Sequence, residues 1–183
     1  MRIKKFGLLI CLLFGLQKAE GLAQAVRVGQ PAVRPAAILG GSVTVSAAPA
    51  SISFRLISDR VASSSSSVGV TTTWMGLRRL SRMNLYGYFA GADAALTGGS
   101  PAVSIPSSAV LGQMPAGAPS SFTPFTQSNP IAGASLLLYC EPLMAGSDGS
   151  RTDTLNLEIN LEGLWPLPAG TYTGTLYLQA QML

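Results

Sequence analysis

The chain has 183 residues, with 12 basic and 8 acidic side chains, two cysteines and no histidine. Without histidine neither a Ser-His-Asp nor a Cys-His nucleophilic arrangement can be assembled, and the usual zinc sites lose a principal ligand. The net charge of +4 is concentrated at the start, where Arg2, Lys4, Lys5 and Lys18 stand against Glu20; the remainder is close to neutral and offers no basic field to a nucleic acid.

Residues 1–25 read as a cleavable signal peptide. Arg2, Lys4 and Lys5 precede an apolar run over residues 6–16, and Ala23-Gln24-Ala25 places small residues at the two positions a leader peptidase reads, predicting cleavage after Ala25. As a helix this run rises roughly 16 Å, against about 30 Å of hydrocarbon in a bilayer, so no transmembrane span is expected after cleavage. Cys11 follows Ile10 within the apolar run, which does not fit a lipobox. Cys140 is the one cysteine beyond the leader, which rules out an intrachain disulfide there and leaves a small apolar strand residue or an intermolecular thiol.

Residues 26–41 are rich in Ala, Pro and Gly, with Pro31 and Pro35 opposing helix, and read as a flexible arm. An arm placed just after a leader could also donate a strand to a neighbouring subunit. Residues 42–183 carry the pattern of an all-β domain. Short strands are expected over 42–46 and 51–56, a solvated serine loop over 63–67, and a firm β-branched strand over 68–74 whose Trp74 plugs the core. Arg78, Arg79 and Arg82 read as a solvated turn. In residues 84–89, Leu85 and Phe89 share one face with Gly87 between them, while Tyr86 and Tyr88 share the other, where they either cover the sheet's second face, meet a partner subunit or form an exposed aromatic pair.

Residues 90–126 hold Pro, Gly and Ser around short apolar pieces and predict edge strands and loops. Residues 135–141 form a dense apolar run suited to a strand covered on both sides. The last stretch alternates twice: Leu155, Leu157, Ile159 and Leu161 share one parity, and after Pro168-Ala169-Gly170 so do Tyr172, Leu176, Leu178, Ala180 and Met182. This reads as a terminal hairpin with one oily face, and such a face demands a second sheet. Tyr177 falls on the wet parity.

Catalytic signals are sparse. Two carboxylates could run a glycosidase, but Glu158 lies on a wet parity and most others lie in turns; Asp148 and Asp153 lack the spacing of an EF-hand loop. No catalytic, cofactor or metal residues are assigned, and the chain is expected not to be an enzyme.

The segment Leu167-Pro168-Ala169-Gly170-Thr171-Tyr172-Thr173-Gly174-Thr175-Leu176 resembles the closing segment of secreted bacterial pilin-like sandwiches of the spore coat protein U type. A strand like Asn84-Leu85-Tyr86-Gly87-Tyr88-Phe89 is similar to one found in exported proteins with the same ending. The resemblance implies an incomplete or edge-exposed immunoglobulin-like fold, strand exchange through a periplasmic chaperone and an usher, and a place in a surface fibre. The expectation is therefore an immunoglobulin-like antiparallel β-sandwich, exported to the periplasm, cell surface or medium. There it would act as a structural or adhesive subunit whose partners are its own copies or other surface subunits. The alternative is a secreted carbohydrate-binding module that meets glycans through Tyr86, Tyr88 or Tyr177.

Overall fold

A computed structural model describes residues 23–28, 42–76, 81–164 and 166–183. The leader up to residue 22, arm residues 29–41, and Arg78 and Arg79 lie outside the described residues. In chain order the strands are β1 (Ala23–Val28), β2 (Ser42–Ala48), β3 (Ser51–Arg55), β4 (Val61–Ser63), β5 (Val68–Met75), β6 (Ser81–Tyr88) and β7 (Leu96–Gly98). They continue as β8 (Val103–Ile105), β9 (Val110–Gln113), β10 (Thr123–Pro124), β11 (Ser135–Leu143), β12 (Gly149–Asn160) and β13 (Tyr172–Met182). One short 3₁₀ turn, Ser107–Ala109, is the only helical element among the described residues.

Two sheets pack into an all-β sandwich. The first runs β11-β6-β13-β1-β3, with β7 beside β13 and β8 beside β7; the second runs β10-β9-β12-β5-β2, with β4 beside β12. Alternation dictates this layering. Val68, Val70, Thr72 and Trp74 of β5 point inward, as do Leu155, Leu157 and Ile159 of β12, and they meet Leu85, Leu176 and Leu178 of the first sheet. Phe125 fills the space between the layers, edge-on to Phe89 at 5.2 Å. It needs two glycines to do so, because a Cβ at Gly87 or Gly112 would approach its ring to 3.0 and 3.1 Å. The glycine in the middle of the 84–89 strand thus admits an aromatic ring from a loop.

The terminal hairpin is not formed. β12 belongs to the second sheet and β13 to the first, so their oily faces oppose each other across the core instead of lying side by side. Alternation specifies which face is buried but not which sheet a strand joins. Residues 161–164 and 166–171 belong to a crossover, and its anchor is Tyr172, whose buried hydroxyl donates to the carbonyl of Pro168 at 2.8 Å. This is a tyrosine-corner arrangement. The crossover passes close to the β7 turn: a Cβ at Gly98 would overlap the Thr171 carbonyl, and one at Gly170 would lie 2.6 Å from Gly99.

Other expectations shift as well. The run 135–141 was expected to be covered on both sides, but β11 is an edge strand of the first sheet, with a register shift between Leu137 and Tyr139. That bulge turns Tyr139 and Glu141 inward, against Leu85 and Met83, and leaves Cys140 exposed opposite Asn84. The serine run is more than a solvated loop. Ser65 donates its backbone N–H to the Ser53 carbonyl at 2.8 Å, and its hydroxyl accepts from the Ser53 N–H at 3.2 Å. Ser63 and Ser67 donate to Glu158 and Asn156 of β12 at 2.9 and 2.7 Å. These serines tie β3, a strand of the first sheet, to the second.

Candidate functional site: the slot beside the last strand

The first sheet contains a feature that the arm's composition does not announce. β1 lies between β13 and β3, antiparallel to β3 with Val26 opposite Ile52, and parallel to β13 with Val26 opposite Gly174. The β1–β13 pairing is the only parallel one among the described residues. Val26, Arg27 and Val28, expected within a flexible arm, are therefore strand residues. The boundary between leader and arm at Ala25 falls inside the same strand.

β1 occupies a slot whose walls belong to other parts of the chain. Ile52 and Phe54 of β3 and Leu176 of β13 line its inner side and are buried. Ser51 and Ser53 of β3 and Thr173 and Thr175 of β13 take the outward parity. The slot is filled over only part of its length, since β1 pairs with residues 173–176 of β13. Beyond them, residues 177–182 pair with β6 on one side and, among the described residues, with no strand on the other. β2 also contacts β13, and among the described residues it pairs only with β5. Among the described residues two strand edges are thus left without ladder partners. Neither contains a charge or a proline that would discourage strand addition.

The three candidate tyrosines separate. Tyr86 is 7% exposed and its hydroxyl accepts from Asn84 Nδ2 at 3.2 Å, so of the two roles parity allows it takes the covering one. Tyr88 and Tyr177 are opposite each other in the β6–β13 ladder and stack with centroids 5.3 Å apart and ring planes 21° apart. Both are half-buried on the outward face of the first sheet. Trp74 is a core plug, packed so closely on Gly149 that a Cβ there would approach its ring to 2.7 Å.

A polar cluster between the sheets was not foreseen. Arg151 forks onto Asp153, with Nε 2.5 Å from Oδ2 and Nη2 2.9 Å from Oδ1; it also donates to Glu141 at 3.0 Å and to the Ala116 carbonyl at 2.9 Å. Its guanidinium lies 4.6 Å from the centre of the Tyr139 ring. The Asp153 hydrogen bond is the largest of the effects that raise the Arg151 pKa above its ordinary value. Burial raises the Tyr139 phenol, while the neighbouring Thr72 hydroxyl and Arg151 act in the opposite direction. Yet the Thr72 and Tyr139 hydroxyls and the Trp74 indole N–H are all buried without meeting hydrogen-bond geometry. Asp148, weighed as a calcium ligand, accepts from the Gly76 N–H at 2.5 Å. Among the described residues no group of three His, Cys, Asp or Glu is placed to hold a metal, and no helix is long and apolar enough to cross a membrane.

The signal that would have revealed Arg151 was parity: Arg151 and Asp153 share the inward face with Leu155 and Leu157. Comparison with protein-family models, with curated proteins and with solved structures finds no match.

Proposed function

We propose that this chain is an exported, non-catalytic structural or adhesive subunit of a bacterial surface assembly, joined to its neighbours by exchange of an extended strand. The observation that carries this reading is β1, Ala23–Val28, inserted parallel to β13 in a sandwich whose other pairings among the described residues are antiparallel. An inserted strand held mainly by main-chain ladders can be supplied by the same chain, by a second copy or by a chaperone, because the ladder reads backbone and alternate side-chain pockets rather than a unique sequence. The edges of β2 and of residues 177–182 that meet no ladder partner among the described residues extend the surface such a strand would use. Protein recovered from the cell surface and run unboiled on a denaturing gel should give a ladder that collapses to monomer on boiling. Monomers alone, without a bound chaperone, would refute assembly.

A secreted carbohydrate-binding module is the second reading, favoured by the Tyr88–Tyr177 stack on the outward face. Aromatic rings flanked by Gln179 and Gln181 on the same face suit a neutral, hydroxyl-rich ligand. A glycan array whose signals disappear with Tyr88→Ala and Tyr177→Ala would support it, and a blank array would remove it.

A further inference from the structure

The bond expected to be cut on export, Ala25–Val26, lies in the middle of β1 with strand partners on both sides. Ala25 faces Ser53 and Thr173, and Val26 faces Ile52 and Gly174. A peptidase must draw its substrate out as an extended single segment, so a bond held within a sheet between two neighbours is closed to it. Cutting and docking therefore exclude each other at this position. Resting on the export reading above, we infer that residues 23–25 of the leader plug the slot of the uncut chain, and that leader removal opens it.

The chemistry of the cut adds to the loss of length. Hydrolysis breaks the Ala25–Val26 amide; water supplies the oxygen that completes the Ala25 carboxylate and the hydrogens that complete the Val26 amine, which is protonated near neutral pH. Of the partnerships β1 makes, those of Ala23 with Arg55, Gln24 with Phe54, and Ala25 with Ser53 and Thr173 depart with the leader. Three strand residues remain, Val26, Arg27 and Val28, and the first of them now bears an ammonium group opposite the buried Ile52. An ammonium placed beside the buried Ile52 gives up part of its hydration, which disfavours the docked stub. A three-residue ladder is a weak competitor for keeping it there, so the stub leaves and both walls of the slot become available. Removal of the leader thus converts a self-plugged chain into one that accepts a strand, which ties readiness to assemble to completed export.

The test compares the full chain, kept in detergent micelles, with the same chain after leader removal. Hydrogen exchange of the amides in β3 and in residues 173–176 should accelerate about tenfold or more on cutting. A synthetic Ala23–Val28 peptide should bind the cut chain and not the uncut one, and should restore slow exchange. Unchanged exchange on cutting, or equal peptide binding by both forms, overturns the plug. Peptide binding confined to the cut chain, with no ladder of copies from the cell surface, keeps the plug and removes the assembly. A ladder formed from uncut chains keeps the assembly and removes the plug.

Discussion

Replacing Arg151 by Met tests the polar cluster most severely. The Asp153 side chain is only 4% exposed, and both of its oxygens are held by the Arg151 fork. Removing the arginine leaves a carboxylate between the sheets with no cation, a loss of about 3–5 kcal/mol for a broken buried pair. The Glu141 side chain, 33% exposed, adds less than about 1 kcal/mol because water screens it. The cost should therefore follow Asp153 rather than Glu141. Urea denaturation followed by Trp fluorescence would show Arg151→Met losing most of that amount, and Glu141→Gln losing less than about 1 kcal/mol. Adding Asp153→Asn to Arg151→Met removes the uncompensated charge and should recover most of the loss. If Arg151→Met costs under about 1 kcal/mol, or if the second substitution recovers nothing, the electrostatic account of the cluster is wrong.

Tyr172→Phe keeps the buried ring but deletes the donor to the Pro168 carbonyl and should cost about 1 kcal/mol in the same assay. Gly174→Ala drives a Cβ onto the Ala95 carbonyl oxygen and should cost about 3 kcal/mol or more, whereas Gly91→Ala, which meets nothing, should stay within about 0.5 kcal/mol. Tyr139→Phe removes a buried hydroxyl that lacks hydrogen-bond geometry and should be neutral or stabilising by about 1 kcal/mol at neutral pH. Burial raises the folded pKa of both Tyr139 and Tyr172, so their protonated phenols contribute fully below the unfolded value near 10. That contribution is lost as pH rises through the folded values, and alkaline titration of Tyr139→Phe with Tyr172→Phe should show a shallower decline than the parent.

Strands with one oily face were the most legible part of the molecule. Val68–Met75 and Tyr172–Met182 follow their parities because a register slip would expose Val70 or Leu178. The sandwich follows from the same requirement. Partnership between strands was much less legible, since Leu155 and Leu176 would be inward-facing whether their strands shared a sheet or opposed each other. β1 was hidden because Ala, Gln and Val around a leader junction carry no amphipathic period; its place is fixed by vacancies in β3 and β13, strands distant in sequence. For Tyr86 parity leaves a covering role and an exposed one both open, for a related reason. Parity sends a ring to the outer face but does not reveal that neighbouring side chains cover it.

Among the described residues β3 is fastened twice: to the second sheet through Ser64 and Ser65, and to the first by way of β1. If the intermediary is withdrawn, Ile52 and Phe54 do not drift away, because the serine clasp holds their backbone in position. A wall anchored from behind leaves a doorway standing when the door is removed, and an arriving segment finds its frame already built.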